Sequence, residues 1–383
     1  MRSINLNLSF EFPAPSSELP KHIAKALEPL EGTLLENKTL RFFKPKNFRD
    51  PATLVKEVVA KEAAKLGAWL DDGFNSMLSP GYAAMLAKQV MTGIPWVLPD
   101  YDVTDPIMTC VTRLTAVNLL VDDLCDMDGK NFQEEFRPSK AKIDQIKTTS
   151  LALMKMAVEF DLFMTESLDD ELDPLIKTYF VLVLKNFGNL GFANTEDIAK
   201  VAYNLMRAMI STGSANDWLC RHANVDIKSK YSIDFVRHFR SADTEGPALI
   251  HVLHDPRFGP LSDAIMSSEQ VKAYLNLSYD ISAGLNDTLG FRKDIVKGES
   301  GGMIMLRISW GEDPIRVFDD EWRILQKNID NYLLLREELL NNFQEMENFV
   351  NTMDTYIHGY VQALNNSSRY LMNGGISVDD QDN

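Results

Sequence analysis

The chain has 383 residues, 45% of them hydrophobic and 25% charged, which is the composition of a globular protein with a large core. Its formal net charge of −16 argues against a nucleic-acid partner and against an anionic membrane surface, because both require a basic face. An acidic protein can still bind an anionic ligand when metal cations lie between the two.

The sequence gives no sign of secretion or of membrane insertion. No run of 18 apolar residues occurs, and the N-terminus "MRSINLNLSFEF" lacks the apolar region and cleavage site of a secretory signal. The three cysteines (Cys110, Cys125 and Cys220) are widely spaced without a CxxC pair, so we expect reduced thiols and no zinc site. We therefore expect a cytoplasmic or organelle-stromal protein without integral membrane contact.

The pattern of apolar residues is that of an all-α protein. Residues 1–50 carry scattered prolines and little periodicity, and we predict an irregular N-terminal segment. Asp50-Pro51 is a helix-start signal that Ser79-Pro80 repeats. Further helices are predicted at roughly 104–126, 141–166, 172–188, 195–221, 231–253, 268–297 and 318–372. The chain is thus predicted to form one α domain over residues 51–372, followed by a disordered tail at 373–383.

The acidic stretch "NLLVDDLCDMDGKNFQEE", residues 118–135, has two interpretations. As an EF-hand loop with Gly129 at its central glycine, it places Asp126 and Glu135 at ligand positions. The first ligand position is then Leu124, which offers no oxygen. Calcium binding is therefore disfavoured.

As the end of a helix, the same stretch points to a different metal. Asp122 and Asp126 form an i,i+4 pair on one face, with Asp123 three residues before Asp126. Carboxylates at a helix C-terminus oppose the macrodipole, so a divalent cation there would stabilise them. The competing interpretation is a solvated acidic helix end.

A second oxygen-rich motif lies in "SAGLNDTLGFRKDIVKGES". Asn286, Gly290 and Asp294 are spaced i, i+4 and i+8, which aligns an amide oxygen and a carboxylate on one stripe of a helix. Such oxygen ligands suit Mg²⁺, which is held by few carboxylates together with substrate phosphates. Lys293 beside this stripe adds a positive charge for an anion.

Two further cationic positions fit a phosphate ligand. Arg240 precedes Asn286 by 46 residues, and Arg369 stands beside Tyr370 near the C-terminus. Each arginine alone is typical of a surface ion pair. Together with the two acidic motifs they indicate a diphosphate site, because the guanidinium fork donates two parallel bonds to phosphate oxygens.

The order and spacing of these motifs resemble the class I terpene synthases of microbial and fungal type, over roughly residues 50 to 372. The Asp122-Asp123-x-x-Asp126 sequence is similar to the family's aspartate-rich motif. The segment from Asn286 to Asp294 is similar to its N-D-x-x-S-x-x-x-E motif.

The cationic positions share the resemblance. Arg240 occupies the place of the family's diphosphate sensor, and Lys293 matches the basic residue that often precedes the final Glu of the second motif. The Arg369-Tyr370 pair is similar to the family's late R-Y pair.

The resemblance implies an α-helical bundle around a central apolar pocket that binds an allylic prenyl diphosphate, with geranyl diphosphate favoured. It implies two or three Mg²⁺ ions, or Mn²⁺ in their place, held by Asp122, Asp123, Asp126, Asn286 and Asp294. The diphosphate would contact Arg240, Lys293, Arg369 and Tyr370. Breaking the C–O bond would then involve Asp122, Arg240 and Lys293.

The chain departs from the family pattern in ways that bear on the fate of the allylic cation. Gly290 replaces a metal-ligating Ser or Thr, and Asp294 is one methylene shorter than the usual Glu. The helix before Asp122 has no aromatic residue to stabilise a migrating cation. These departures resemble the algal N-prenyltransferases of kainoid biosynthesis, so we narrowly favour transfer of the prenyl group to the amine of an amino acid such as L-glutamate.

Two alternatives remain open. One is a monoterpene or sesquiterpene cyclase whose aromatic residues come from other helices, with Trp69, Trp96, Trp218, Phe239 and Phe291 available. The other is a non-catalytic helical metal-binding protein.

Overall fold

The computed structural model describes residues 1–51, 54, 56–74, 77–126, 132–137, 139, 141, 233–242, 254, 258, 259, 261–367, 370 and 375–380. In this part of the chain the helices are α1 (Lys21–Leu27), α2 (Lys56–Gly73), α3 (Tyr82–Val97), α4 (Pro106–Asp126), α5 (Ile233–Ala242), α6 (Asp263–Met266), α7 (Glu269–Lys297), α8 (Met303–Ser309), α9 (Pro314–Asn342) and α10 (Glu347–Asn366). The strands are β1 (Arg2–Glu11), β2 (Leu34–Lys44) and β3 (Ile376–Asp380). Helices dominate, as the sequence predicted.

Two long helices form the frame of the molecule. The helices α7 and α9 have 29 residues each and pack against one another. Local signals set their ends, since the Ser268 and Asp313 side chains accept hydrogen bonds from the backbone N–H groups of Val271 and Arg316. Gly298 ends α7 in the left-handed conformation, with φ of 79°. The apolar faces of α3 and α10 pack together beside this pair.

The prediction of an irregular segment at residues 1–50 is wrong. These residues contain β1, α1 and β2, and the two strands pair antiparallel with Arg2 opposite Lys44. The sequence of β1 alternates, so that Ile4, Leu6 and Leu8 all face the core. This period of two was readable in the sequence and marks a strand.

The predicted disordered tail and the single helix at 318–372 also need correction. Residues Ile376–Asp380 form β3, which pairs antiparallel with β1 and gives a sheet in the order β2-β1-β3. The long helical pattern is divided, because α9 ends at Asn342 and a short 3₁₀ turn at Gln344–Met346 precedes α10.

The sheet covers one side of the helical frame and keeps α7 in place. Phe10 of β1 meets Phe291 of α7 and Phe318 of α9 edge to face, with ring centroids 6.4 and 6.5 Å apart. Phe291 is fully buried there. One side of α7 therefore packs on the sheet, and the stripe from Asn286 to Asp294 is left for other contacts.

Apart from residue 141, the predicted helices at 141–166, 172–188 and 195–221 lie outside the described residues and stay predictions. Among the residues described, no helix combines the length and apolar character that crossing a bilayer requires.

Candidate metal and diphosphate site

The first acidic motif lies at the end of a helix, as predicted, and residues 127–131 of the alternative calcium loop lie outside the described part. Helix α4 ends at Asp126, so Asp122, Asp123 and Asp126 occupy its last two turns. Asp123 is buried, and its carboxylate accepts a hydrogen bond from the Tyr82 hydroxyl on α3. The side chains of Asp122 and Asp126 lie outside the described part, so their role as metal ligands stays a prediction.

The second motif lies on α7, as predicted, and Asn286 is oriented by a neighbouring helix. Its amide nitrogen donates to the Tyr360 hydroxyl of α10 at 3.2 Å. The amide oxygen is therefore directed the other way, and it lies 3.4 Å from the point that a Cβ atom on Gly290 would occupy. The oxygen thus points along the stripe, where a metal ion would need it.

Asp287, for which the sequence predicted no role, is the partner of Arg240. The Nε and Nη2 atoms of Arg240 donate to Asp287 Oδ1 at 3.0 and 2.7 Å. The other carboxylate oxygen accepts from the backbone N–H of Met303 at 2.8 Å, at the start of α8. Asp287 thus fixes the guanidinium of Arg240 and the first turn of α8 together. Its place next to Asn286 was the one signal in the sequence.

Lys293 is held between two carboxylates and beside an aromatic ring. Its Nζ lies 3.0 Å from Asp294 Oδ1 and 2.6 Å from Glu299 Oε2. The same atom lies 5.2 Å from the centroid of the Tyr370 ring, within the range of a cation–π contact. The structure therefore brings Lys293, Asp294 and Tyr370 together as the sequence suggested, and adds Glu299. Arg369 lies outside the described residues.

The charges of this region favour a bound cation. Three carboxylates (Asp287, Asp294 and Glu299) lie with two cations (Arg240 and Lys293) in mostly buried positions. Burial raises the pKa of Asp294 to about 7, against the attraction of Lys293 and with some repulsion from Glu299 and Asp287.

The donor set fits Mg²⁺ in type, since an amide oxygen and a carboxylate share one stripe beside surplus negative charge. No three carboxylate, imidazole or thiol side chains among the described residues converge on one point. A metal ion on this stripe would therefore be completed by other donors, such as diphosphate oxygens.

Gly290 has room for a small side chain but not for a large one. A Cβ at this position would lie 3.6 and 3.7 Å from two carbons of the Tyr370 ring. The ring therefore lies over the place where the family has a ligating hydroxyl. The departure at Gly290 is thus matched by a neighbouring aromatic residue.

A small recess with a mixed polar and apolar lining lies beside Asp287. Its walls come from α5, α7 and α9 and include Arg237, Arg240, Asp280, Asp287 and Glu321. Its charged side chains distinguish this recess from the central apolar pocket that the sequence predicted. The central apolar pocket stays a prediction, because much of the chain that would enclose it lies outside the described residues.

The candidate aromatic residues do not gather at the stripe in the part of the chain that is described. Phe291 packs on Phe10, Phe12 and Phe318, so the expectation that it was available for a substrate pocket is wrong. The guanidinium of Arg113 lies over the Trp69 ring, 4.8 Å from the centroid of that ring. Trp96 is half-buried near the end of α3, and the side chains of Trp218 and Phe239 lie outside the described residues.

No family model and no curated protein matches this sequence. Solved structures match its fold, among them the linalool/nerolidol synthase from Streptomyces clavuligerus in complex with 2-fluorogeranyl diphosphate. That match has a TM-score of 0.59 and 12% sequence identity, and covers 81% of this chain and 95% of that chain.

Two other synthases match over a similar length. The 2-methylisoborneol synthase from Streptomyces coelicolor A3(2), in complex with Mg²⁺ and 2-fluoroneryl diphosphate, has a TM-score of 0.61 and 12% identity over 86% of this chain and 95% of that one. An α-eudesmol synthase has a TM-score of 0.59 and 15% identity over 88% and 100% of the two chains. This chain therefore has the terpene synthase fold that its motifs predicted.

Proposed function

We propose that this protein is an enzyme that ionises an allylic prenyl diphosphate with the help of Mg²⁺. The observation that carries the proposal is the stripe of Asn286 and Asp294 on α7, flanked by the buried cations Arg240 and Lys293. Solved structures with this fold hold 2-fluorogeranyl diphosphate in one case and Mg²⁺ with 2-fluoroneryl diphosphate in another.

The residues of the stripe and its neighbours have separable tasks in this reaction. Asn286 and Asp294, together with Asp122 and Asp126 of α4, would hold the metal ions. When bound, Mg²⁺ neutralises negative charge on the departing diphosphate.

The cations would act on the same leaving group. Arg240 presents a planar fork that its contact with Asp287 keeps oriented, which suits two parallel bonds to diphosphate oxygens. Lys293 supplies a compact point charge on a flexible stem. Both charges stabilise the diphosphate as the C–O bond breaks, which favours the allylic cation.

The fate of that cation has two candidate outcomes. Transfer of a geranyl group to the amine of an amino acid such as L-glutamate is supported by Gly290 and Asp294, which alter the second metal motif, and by the absence of aromatic residues from α4. The core position of Phe291 adds to that support. Cyclisation to a monoterpene or sesquiterpene is supported by the fold shared with terpene synthases.

A product assay separates these outcomes. The purified protein is incubated with Mg²⁺ and geranyl diphosphate, with and without L-glutamate, and diphosphate release, volatile terpenes and prenylated amino acids are measured. Transfer predicts an N-prenyl amino acid that depends on L-glutamate. Volatile terpenes without an N-prenyl product would overturn the transfer proposal and leave the ionisation step standing.

A thermal-shift measurement separates both enzymes from a non-catalytic helical protein. We expect Mg²⁺ and inorganic pyrophosphate to raise the melting temperature together, and neither to do so alone. No shift with the pair, combined with no diphosphate release, would overturn the proposed function.

The metal stripe is tested by Asn286→Ala. We expect kcat/KM to fall about a thousandfold or more, because an oxygen aimed at the metal is lost from the site where leaving-group charge develops. The matched control is Asn276→Ala, an exposed position on the same helix, which should keep its activity. Equal activity of the two variants would contradict the metal assignment.

A further inference from the structure

We propose that Glu299 is an internal competitor of the diphosphate, holding Lys293 in the free protein until the substrate's diphosphate displaces it. This inference rests on the proposed function and names the residue that limits the affinity of the same site. Glu299 lies outside both acidic motifs, five residues after Asp294.

The geometry places Lys293 where an incoming anion must compete for it. Its side chain is only 7% exposed and lies between Asp294 and Glu299, with Nζ closer to Glu299 (2.6 Å) than to Asp294 (3.0 Å). A charge-assisted contact of this length is a strong hydrogen bond, so Glu299 competes directly with an incoming anion for the ammonium. Diphosphate therefore gains the full attraction of Lys293 only if one of the two carboxylates gives way.

Glu299 is the carboxylate that can leave. Its side chain is 29% exposed, whereas that of Asp294 is 9% exposed. Turning Glu299 into water restores its hydration at little cost, but a buried Asp294 without a cation would be strongly destabilised. Asp294 is also the residue whose carboxylate would face the metal ion.

The backbone around Glu299 is fixed, so the exchange needs only a side-chain rotation. The N–H of Glu299 donates to the Asp294 carbonyl at 3.1 Å, and Ser16 N–H donates to the Ile295 carbonyl at 3.0 Å. A Cβ on Gly298 would lie 2.6 Å from Glu18 Cβ, so the segment after β1 packs directly on this turn. Because these contacts hold the backbone of the turn in place, Lys293 is released by rotation of the Glu299 side chain and not by movement of the turn.

The exchange also keeps the charges in balance. In the free protein Lys293 offsets part of the charge of Asp294 and Glu299. In the complex the ammonium moves to the diphosphate, the Glu299 charge enters water, and Asp294 is left facing the bound cation. The pair of Lys293 and Glu299 thus lowers affinity for diphosphate and keeps the ammonium paired while no substrate is present.

The experiment is a calorimetric titration of the full chain with inorganic pyrophosphate in the presence of Mg²⁺. For Glu299→Gln we expect the Kd to fall about five- to tenfold, because a buried ammonium loses a charged competitor and keeps a neutral hydrogen-bond partner. Glu299→Ala removes the same charge without that partner and should also bind more tightly.

A matched control separates this local effect from the protein's overall charge. Glu269→Gln lies in the first turn of the same helix, where Glu269 is 90% exposed and paired with Lys272, and it changes the net charge equally. We expect its Kd to equal that of the wild type. In a Lys293→Met background the substitution Glu299→Gln should no longer tighten binding.

The possible results distinguish the two proposals. A wild-type protein that does not bind Mg²⁺ and pyrophosphate overturns the proposed function. A wild type that binds, with Glu299→Gln unchanged, overturns only the competitor role. Weaker binding by Glu299→Gln also overturns it and shows that Glu299 assists the ligand. An equal gain in the Glu269→Gln control reduces the effect to net charge and overturns the proposal too.

Discussion

The two ends of α7 both bury polar side chains, but they satisfy them differently. At the N-terminal end, the Tyr274 hydroxyl pairs with that of Tyr332 at 2.7 Å, and Tyr332 donates to Asp354 Oδ1 at 2.8 Å. Arg336 Nε donates to the other oxygen of Asp354 at 2.7 Å. We call these four residues the tyrosine end. At the C-terminal end, which we call the site end, Asp287, Asp294 and Glu299 lie with Arg240 and Lys293.

This difference indicates which of the two buried polar clusters can bind a ligand. The tyrosine end joins one buried carboxylate to one arginine and two neutral hydroxyls. Such a closed network connects three helices and offers nothing to a ligand. The site end carries three carboxylates and two cations, and the amide oxygen of the neighbouring Asn286 points along the helix. Surplus negative charge next to an amide oxygen of fixed orientation is typical of a site that binds a cation.

The largest expected effect is a loss of stability at the tyrosine end as the pH rises. Burial raises the pKa of Asp354 from 3.8 to about 6, so the folded protein holds this proton more tightly than the unfolded chain does. The contribution of Asp354 to stability is therefore greatest below about pH 4 and declines as the pH rises to about 6, by roughly 3 kcal/mol in all.

Asp354→Asn removes this dependence, and denaturant unfolding at several pH values measures it. The free energy of unfolding of the wild type minus that of the variant should fall between about pH 4 and 6 and then stay level. Glu347→Gln, an exposed position on α10, is the control for loss of one charge. A difference that is constant across this range would show that Asp354 is not perturbed by burial.

A smaller effect is expected at the site end, where Gly302→Ala adds one carbon. Its backbone has φ of −71° and ψ of 153°, which any residue adopts, but a Cβ there would lie 3.0 Å from Asp287 Oδ1. We expect Gly302→Ala to lower the free energy of unfolding by about 2 kcal/mol through overpacking. It should also weaken pyrophosphate binding, because Asp287 can no longer hold Arg240.

The control for this substitution is Gly93→Ala in α3, where the nearest atom to a new Cβ is Ala363 Cβ at 3.9 Å. That variant should be more stable by about 0.5–1 kcal/mol, since alanine favours a helix over glycine. If both alanine variants keep wild-type pyrophosphate affinity, the link from Gly302 through Asp287 to Arg240 does not hold.

The smallest effect on stability is expected at Gly290, where a serine tests whether a metal ion binds to the stripe. A serine Cβ would lie 3.4 Å from Asn286 Oδ1 and 3.6 Å from the Tyr370 ring, which are ordinary contacts. We expect Gly290→Ser to change stability by only about 0.5 kcal/mol. The added hydroxyl should lower the Mg²⁺ concentration needed for half-maximal pyrophosphate binding. Gly290→Ala provides the same Cβ without the oxygen, and an equal change in that variant would argue against a metal on the stripe.

Much of the helical frame could be predicted because its signals are local. Helix α7 was predicted at 268–297 and is found at Glu269–Lys297, since Ser268 and Gly298 mark its ends in the sequence itself. The stripe of Asn286 and Asp294 followed from helical periodicity alone. Strand β1 carried an equally local signal, the alternation of Ile4, Leu6 and Leu8, which the scattered prolines nearby obscured.

The pairings at the site could not be predicted in the same way. Which carboxylate meets Arg240 or Lys293 depends on how α5, α7 and the turn before α8 pack, and no spacing in the sequence encodes it. Asp287 and Glu299 were therefore missed as partners, as was the contact of Tyr82 with Asp123.

The pairing of β3 with β1 has a consequence for biosynthesis. Asn7 donates to the Asp379 carboxylate across 372 positions of sequence, so the sheet joins two segments that lie far apart in the chain. Strand β2 follows β1 closely in translation, but the other edge of β1, at Ile4–Leu8, waits until Ile376–Asp380 have left the ribosome. Until then that edge is a row of unpaired backbone groups, open to strands of neighbouring chains. Chains that stop before Ile376 would keep this edge permanently, and their aggregation during expression would reveal it.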